Sequence, residues 1–227
     1  MEVVIISATE NEVLLIKRII NPDDLGNDAK FKISFLVTGV GMLPSCFCVS
    51  KLIFERKPDL IIQAGIAGTF NSAVKLGEVV IVKEDILADT GVEEDGSFKD
   101  VFDLNLAQPD SFPFFKKRLL NPEIEKLNFL GLKEVTGITI NEITTRLQRI
   151  IQYKAKYNPD IESMEGASLH YCCLQTSTSF IQLRAISNYI GERDKSKWNF
   201  EDSFKNLSET IKQYIDHLYK TNQYKKK

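Results

Sequence analysis

The apolar positions of this chain fall into short dense runs, separated by segments in which they recur every three or four residues. Runs rich in β-branched residues cover 2–8, 31–38, 59–65, 78–83 and 180–187, with a further candidate at 132–138. Short, almost wholly apolar runs are what a sheet covered on both faces demands of its strands. Between them a helical stripe runs through Val13, Ile16 and Ile20 at 10–20, and helical spacing returns at 43–57, 141–155, 164–176 and 201–222. The last of these carries Phe204, Leu207, Ile211, Ile215 and Leu218. Strands alternating with helices predict an α/β domain of three layers, helix on sheet on helix. The stretch 88–116 mixes Asp, Gly, Pro and Phe without a period and is expected to be a long functional loop.

Composition narrows the chemistry. At 227 residues the chain is expected to form a single domain over 1–227 with a full core. Its 29 basic and 31 acidic residues leave a net charge of -2, which provides no electrostatic footprint for nucleic acid or an anionic membrane. The one single-signed cluster, Lys225 to Lys227, reads as a solvated tail. Residues 33–50 carry no charge, yet Gly39, Gly41 and Pro44 interrupt them, so no membrane span is expected. Met1-Glu2-Val3-Val4-Ile5-Ile6-Ser7 lacks a basic leader and reads as a first strand of a cytoplasmic protein, not an export signal. With only His170 and His217, a histidine-rich metal centre and a two-histidine proton shuttle have nothing to build with. Cys46-x-Cys48 and Cys172-Cys173 lack zinc-ribbon spacing and read as buried reduced thiols. Neither metal nor cofactor is expected.

Several junctions carry candidate chemistry. Thr38-Gly39-Val40-Gly41-Met42-Leu43-Pro44 starts like a dinucleotide fingerprint but has Pro44 where a third glycine is needed for helix packing. Gln63-Ala64-Gly65-Ile66-Ala67-Gly68-Thr69-Phe70 ends the third strand, and its glycines let a ligand ring approach the backbone where open α/β sheets bind ligands. Glu12, in Thr9-Glu10-Asn11-Glu12, has two roles open to it: partner of Thr9 in a capping box, or a carboxylate placed over the sheet edge to deprotonate a water. Ile161-Glu162-Ser163-Met164-Glu165-Gly166-Ala167 opens a helix, where acidic residues are favoured in any case. Arg184-Ala185-Ile186-Ser187-Asn188 closes the last strand, and strand ends commonly carry small polar residues. Arg193-Asp194-Lys195-Ser196-Lys197-Trp198 reads either as a solvated connection or as a cationic and aromatic clamp for a carboxylate.

Taken in order, these segments resemble the nucleoside phosphorylase and nucleosidase superfamily over nearly the whole chain. The resemblance rests on Ser7 to Glu12, Gly39-Val40-Gly41, Ala64 to Gly68, Leu76-Gly77-Glu78-Val79-Val80, Glu162 to Ala167 and Arg184 to Asn188. Within the superfamily, the run Arg184 to Trp198 is similar to the futalosine hydrolases of the alternative menaquinone route. The resemblance implies a mixed central sheet and a cofactor-free hydrolase acting on a small nucleoside. It assigns Glu12 to water activation, and Glu165 with Met164 to the ribose and its developing cation. Asn188 falls at the purine, with Ser187 orienting it, and Ala67 and Gly68 fall beside the base. Arg184 is assigned a supporting role. Adenine-releasing relatives carry Asp at the position of Asn188; an amide instead offers its carbonyl to a protonated N7 and its N–H to O6, which matches hypoxanthine. Ile140 stands where those relatives carry a stacking aromatic. The absence of an arginine before Arg18 points to water, not phosphate, as the nucleophile. The resemblance also implies a homo-oligomer, most simply a dimer. Of Phe98, Phe102, Phe112, Phe114 and Phe115, most are then expected to pack under the loop and some to close a neighbour's site.

Overall fold

The computed structural model describes residues 1–20 and 31–224, with side chains as far as 221; the Lys225 to Lys227 tail lies outside these residues. In chain order, β1 (Glu2–Ser7) leads into α1 (Glu10–Ile19) and β2 (Lys32–Val37) into α2 (Met42–Arg56), followed by β3 (Leu60–Thr69) and β4 (Val79–Leu87). A hairpin of β5 (Gly91–Glu94) and β6 (Ser97–Asp100) precedes β7 (Leu119–Leu120), α3 (Ile124–Leu127) and β8 (Lys133–Thr139). Then come α4 (Leu147–Tyr157), β9 (Ile161–Ser163), α5 (Gly166–Thr176), β10 (Phe180–Tyr189) and α6 (Phe200–Tyr224).

The main sheet is mixed and runs β10-β4-β8-β9-β3-β1-β2, with β7 added to β4. Because β10 also pairs with β3, five strands close on themselves while β1 and β2 extend from β3 as an open wing. Period-two alternation sends each strand's apolar side chains to both faces. Val3 and Ile5 of β1 pack with Ile16 of α1 and with Leu207, Ile211 and Tyr214 of α6. Val4 and Ile6 pack on the other face with Val49, Leu52 and Ile53 of α2 and Leu169, Cys172 and Cys173 of α5. The result is the three-layer αβα arrangement, with each buried Val, Ile or Leu contributing about 1.5–3 kcal/mol. Among the described residues, no helix is long and apolar enough to cross a membrane.

Three sequence expectations need correction. The helix expected at 141–155 begins only at Leu147. The N–H groups of Asn141 and Glu142 are taken by Asp89, and that of Thr144 by Glu162, so the segment's donors go to strand-end carboxylates and not to a helix. The aperiodic stretch 88–116 contains the β5–β6 hairpin, turned by Asp95 and Gly96, both at positive φ. Third, β3, β4 and β10 run beyond their predicted ends, to Thr69, Leu87 and Tyr189, and at β3 and β10 the extra residues reach the candidate site.

Candidate active site

Strand ends and the helix starts that follow them surround a cavity of about 320 Å³, within the size range of small-molecule sites. Glu12, Ala67, Gly68, Ile140, Met164, Glu165, Ser187 and Asn188, from five separate segments, all line it. Arg184 does not; it lies behind the wall, buried in full.

Glu12 sits in the first turn of α1, and its carboxylate is divided between two tasks. Oε2 accepts from Thr9 N–H at 3.0 Å and from Thr9 Oγ1 at 3.1 Å, while Thr9 Oγ1 receives Glu12 N–H at 3.4 Å, completing a capping box. Oε1 accepts Ile66 N–H of β3 at 3.2 Å. The cap and a place on the cavity wall are therefore compatible. Burial pushes the Glu12 carboxyl above its ordinary value; the nearby Arg184 guanidinium pulls it back and Glu165 adds to the rise. Gly65 permits this approach, since a Cβ there would stand 2.5 Å from Arg184 Nη1 and 2.9 Å from Glu12 Oε1.

Glu165 occupies the N-cap position of α5 but makes no side-chain cap bond. Its Oε1 instead accepts Gly41 N–H at 3.0 Å, and Oε2 lies 3.6 Å from Arg184 Nη2. Arg184 donates to Gln63 Oε1 at 3.1 Å and to the carbonyl of Ile66 at 3.3 Å. With the Gln182 amide oriented to suit its neighbours, Arg184 Nε donates to its oxygen at 3.2 Å, and its nitrogen donates to His170 Nε2 at 2.9 Å and Asp85 Oδ2 at 3.1 Å. A second tier of polar groups, Gln182, His170 and Asp85, thus backs the first. Burial pushes Asp85 up to about 6 and His170 down to about 4. The other histidine, His217, stacks on Phe129 with ring centroids 4.0 Å apart.

At the end of β10 the pairing with β3 slips by one residue between Ile186 and Asn188, a bulge that re-aims the strand's last side chains. Ser187 Oγ donates to Asn188 Oδ1 at 2.9 Å, and Asn188 Nδ2 donates to the carbonyl of Tyr189 at 3.1 Å. The Asn188 amide hangs over Gly68: a Cβ on that glycine would stand 3.1 Å from Nδ2.

The rim is formed by the loop after β10. Trp198 Nε1 donates to the carbonyl of Glu192 at 3.1 Å, and the Arg193 guanidinium lies over the indole at 5.6 Å. Both residues line the cavity, whereas Lys195, the other cation considered, does not. Lys197 is paired with Glu192 at 2.8 Å. Phe98, Phe102 and Phe114 pack on neighbouring rings, while Phe112 and Phe115 are exposed. Sequence reasoning missed Phe200, Thr144 and Glu162, which also line the cavity. Phe200 stands four residues before Phe204, which is half-buried and lines the cavity too, so both belong to one helical stripe; Glu162 lies three residues before Glu165 in the same strand-to-helix segment. The four cysteines are free; Cys172 and Cys173 are buried and Cys46 and Cys48 half-buried. Among the described residues, no three His, Cys, Asp or Glu side chains are grouped to hold a metal.

A family model for the Phosphorylase superfamily matches residues 2–220, so the chain belongs to that superfamily. It is similar to a futalosine hydrolase of Thermus thermophilus, 26% identical over 191 residues that cover 80% of each chain. Among solved structures, futalosine hydrolase of Helicobacter pylori superposes with a TM-score of 0.77 at 16% identity, over 96% of this chain and 98% of that one. A 5'-methylthioadenosine/S-adenosylhomocysteine nucleosidase of the same organism, bound to butyl-thio-DADMe-Immucillin-A, gives the same score, identity and coverage. These relatives are nucleoside N-glycosyl hydrolases, and the likeness to the solved structures establishes the fold.

Proposed function

We propose that this protein hydrolyses the N-glycosidic bond of futalosine, releasing hypoxanthine and the dehypoxanthine sugar in a cytoplasmic, menaquinone-forming route. One observation carries the reading. An amide, Asn188, not a carboxylate, is held by Ser187 over Gly68 in the cavity that also holds Glu12 and Glu165. In that position Asn188 accepts from a protonated N7 and donates to O6 of the departing base. Glu12, its carboxyl raised by burial, takes a proton from the attacking water. Glu165 grips the ribose hydroxyls and stabilises the oxocarbenium-like cation, with Met164 packed on the sugar and Arg184 positioning the carboxylate. The C–N bond breaks as the base takes up a proton at N7 from solvent water, the attacking water adds its oxygen to the anomeric carbon, and the proton that water loses passes to Glu12 and from there back to solvent.

Arg193, which makes no ion pair among the described residues and lies over Trp198, suits the aromatic carboxylate at the 5' end of such a substrate. Among the described residues, no arginine on the cavity wall other than Arg193 offers itself to phosphate, and Arg18 faces outward on α1. The protein is further proposed to be a dimer. The outer face of α2 leaves Leu43, Phe47 and Phe54 at 82%, 67% and 73% exposure, an apolar stripe that a second copy would cover.

The test is to incubate purified protein with futalosine, its 6-amino analogue, inosine and methylthioadenosine, with and without phosphate, and to identify the free base by chromatography. Hypoxanthine from futalosine, at a rate independent of phosphate, is expected. Efficient adenine release with futalosine left intact would overturn the substrate, and a ribose 1-phosphate product would overturn hydrolysis.

A further inference from the structure

The proposed mechanism leaves one buried carboxylate of the cavity unused. Glu162, in the middle of β9, is 5% exposed; its Oε1 accepts Thr144 N–H at 3.1 Å, while its Oε2 has no hydrogen-bond partner. Thr144, beside it, lines the cavity as well. A buried acceptor left unmade costs on the order of 1–3 kcal/mol, so Glu162 Oε2 on this stretch of wall calls for a donor that a ligand can bring.

Strand register says where that ligand lies. Glu162 is level with Gly68 on β3, and Gly68 is level with Asn188 on β10. Residues level across neighbouring strands point to the same face, so Glu162 and Asn188 flank Gly68, over which only the tip of the Ile190 side chain and the Asn188 amide reach near the backbone. Two strand spacings separate their backbones by about 10 Å, the width of one flat ring with a hydrogen-bonding group on each side. An ionised carboxylate accepts and does not donate. If Asn188 meets N7 and O6, the next polar group around a 6-oxopurine is N1–H, a donor. In a 6-aminopurine, N1 is a bare acceptor.

We infer that Glu162 is a specificity-determining residue that accepts N1–H of a 6-oxopurine base and turns away the 6-amino form. The inference rests on the nucleosidase reading above. Burial pushes the Glu162 carboxyl upward and Thr144 draws it back, so a donor brought by the ligand meets a real need. The competing role is structural, with Glu162 merely pinning 141–146 through Thr144 N–H.

The experiment is Glu162→Gln, with kcat/KM measured on futalosine and on its 6-amino analogue. An amide presents either a donor or an acceptor to N1, so the ratio of the two values is expected to fall about tenfold or more. A purely structural role would weaken both substrates alike, and an unchanged ratio overturns the inference. The wild-type protein gives a second readout that needs no variant: product inhibition by hypoxanthine and by 1-methylhypoxanthine. The methylated base, having no N1–H, is expected to inhibit at least about tenfold more weakly; equal inhibition overturns the inference. Wild-type protein that cleaves no purine nucleoside would overturn the nucleosidase reading and this inference together, whereas cleavage with an unchanged ratio overturns this inference alone.

Discussion

At the β1–α1 turn, Glu12 is held by its own neighbourhood: Thr9 three residues back and one N–H from β3. At the β9–α5 turn, Glu165 occupies the equivalent place after a strand, yet its partners lie 124 residues away at Gly41 and on β10 at Arg184. The first carboxylate is buried without an ion pair of its own, so burial dominates and raises its affinity for a proton. The second faces a guanidinium that is itself fixed by Gln63, Ile66 and Gln182. Two glutamates at like positions are thus prepared for unlike work. One carboxyl is raised by burial and held by local partners, and the other is tied into the frame by long-range ones.

The largest test of that contrast is a pair of isosteric substitutions. Glu12→Gln keeps acceptor and volume but cannot take a proton, so kcat is expected to fall about 10²–10⁴-fold with KM little changed. Glu165→Gln leaves Arg184 without its buried charge partner. A rise in KM is expected together with the fall in kcat, and a loss of stability of about 3 kcal/mol measured by denaturant unfolding. If both variants lost kcat alone, the distinction between the two turns would be wrong.

Much of this contrast was readable before the fold was. Glu12 and Asn188 stand beside strands that apolar periodicity placed, at 2–8 and 180–187, whereas the sequence put Glu165 only at a helix start, because the three-residue β9 before it is too short to show a period. The Thr9–Glu12 capping box was likewise legible, because it is local. What could not be read was which distant groups meet. Nothing in the spacing of residues 41, 165 and 184 says that they converge; the closing of β10 onto β3 does that. The missed hairpin is different, since Asp95-Gly96 is a recognised signal for a two-residue turn and the four-residue strands beside it were too short to show a period. The false helix start at 141–146 was set by long-range bonds to Asp89 and Glu162, which no local pattern reveals.

The second tier of polar groups lies behind Arg184, whose charge reaches both glutamates, and pH exposes it. Burial raises Asp85 from its ordinary 3.8 to about 6, so the folded chain holds that proton more tightly than the unfolded one. Its contribution to stability is present at low pH and is lost as pH rises through about 6. His170, lowered from 6.5 to about 4, acts in the opposite sense and destabilises the fold as pH falls. Between about pH 4 and 6 the two slopes largely cancel. Asp85→Asn removes one of them. Over that interval the variant is expected to lose about 3 kcal/mol more stability on acidification than the wild type. Chemical denaturation at a series of pH values measures this, and parallel curves would show that Asp85 and His170 are not the opposed pair described.

The smallest effect separates the turns at their caps. Thr9→Ala removes the hydroxyl that both receives Glu12 N–H and donates to its carboxylate, so about 1 kcal/mol of stability is expected to go, and kcat to fall a few-fold as Glu12 loses its orientation. Thr9→Ser should restore both. The corresponding hydroxyl at the other turn is Ser163 Oγ, which accepts Gly166 N–H at 3.4 Å and makes no bond to the Glu165 carboxylate. Ser163→Ala is therefore expected to cost stability of the same order while leaving kcat near normal, because Glu165 is oriented by Gly41 and Arg184 and not by its own turn. Comparable losses of kcat in Thr9→Ala and Ser163→Ala would mean that both carboxylates depend on local caps, and the long-range frame around Glu165 would then not be what orients it.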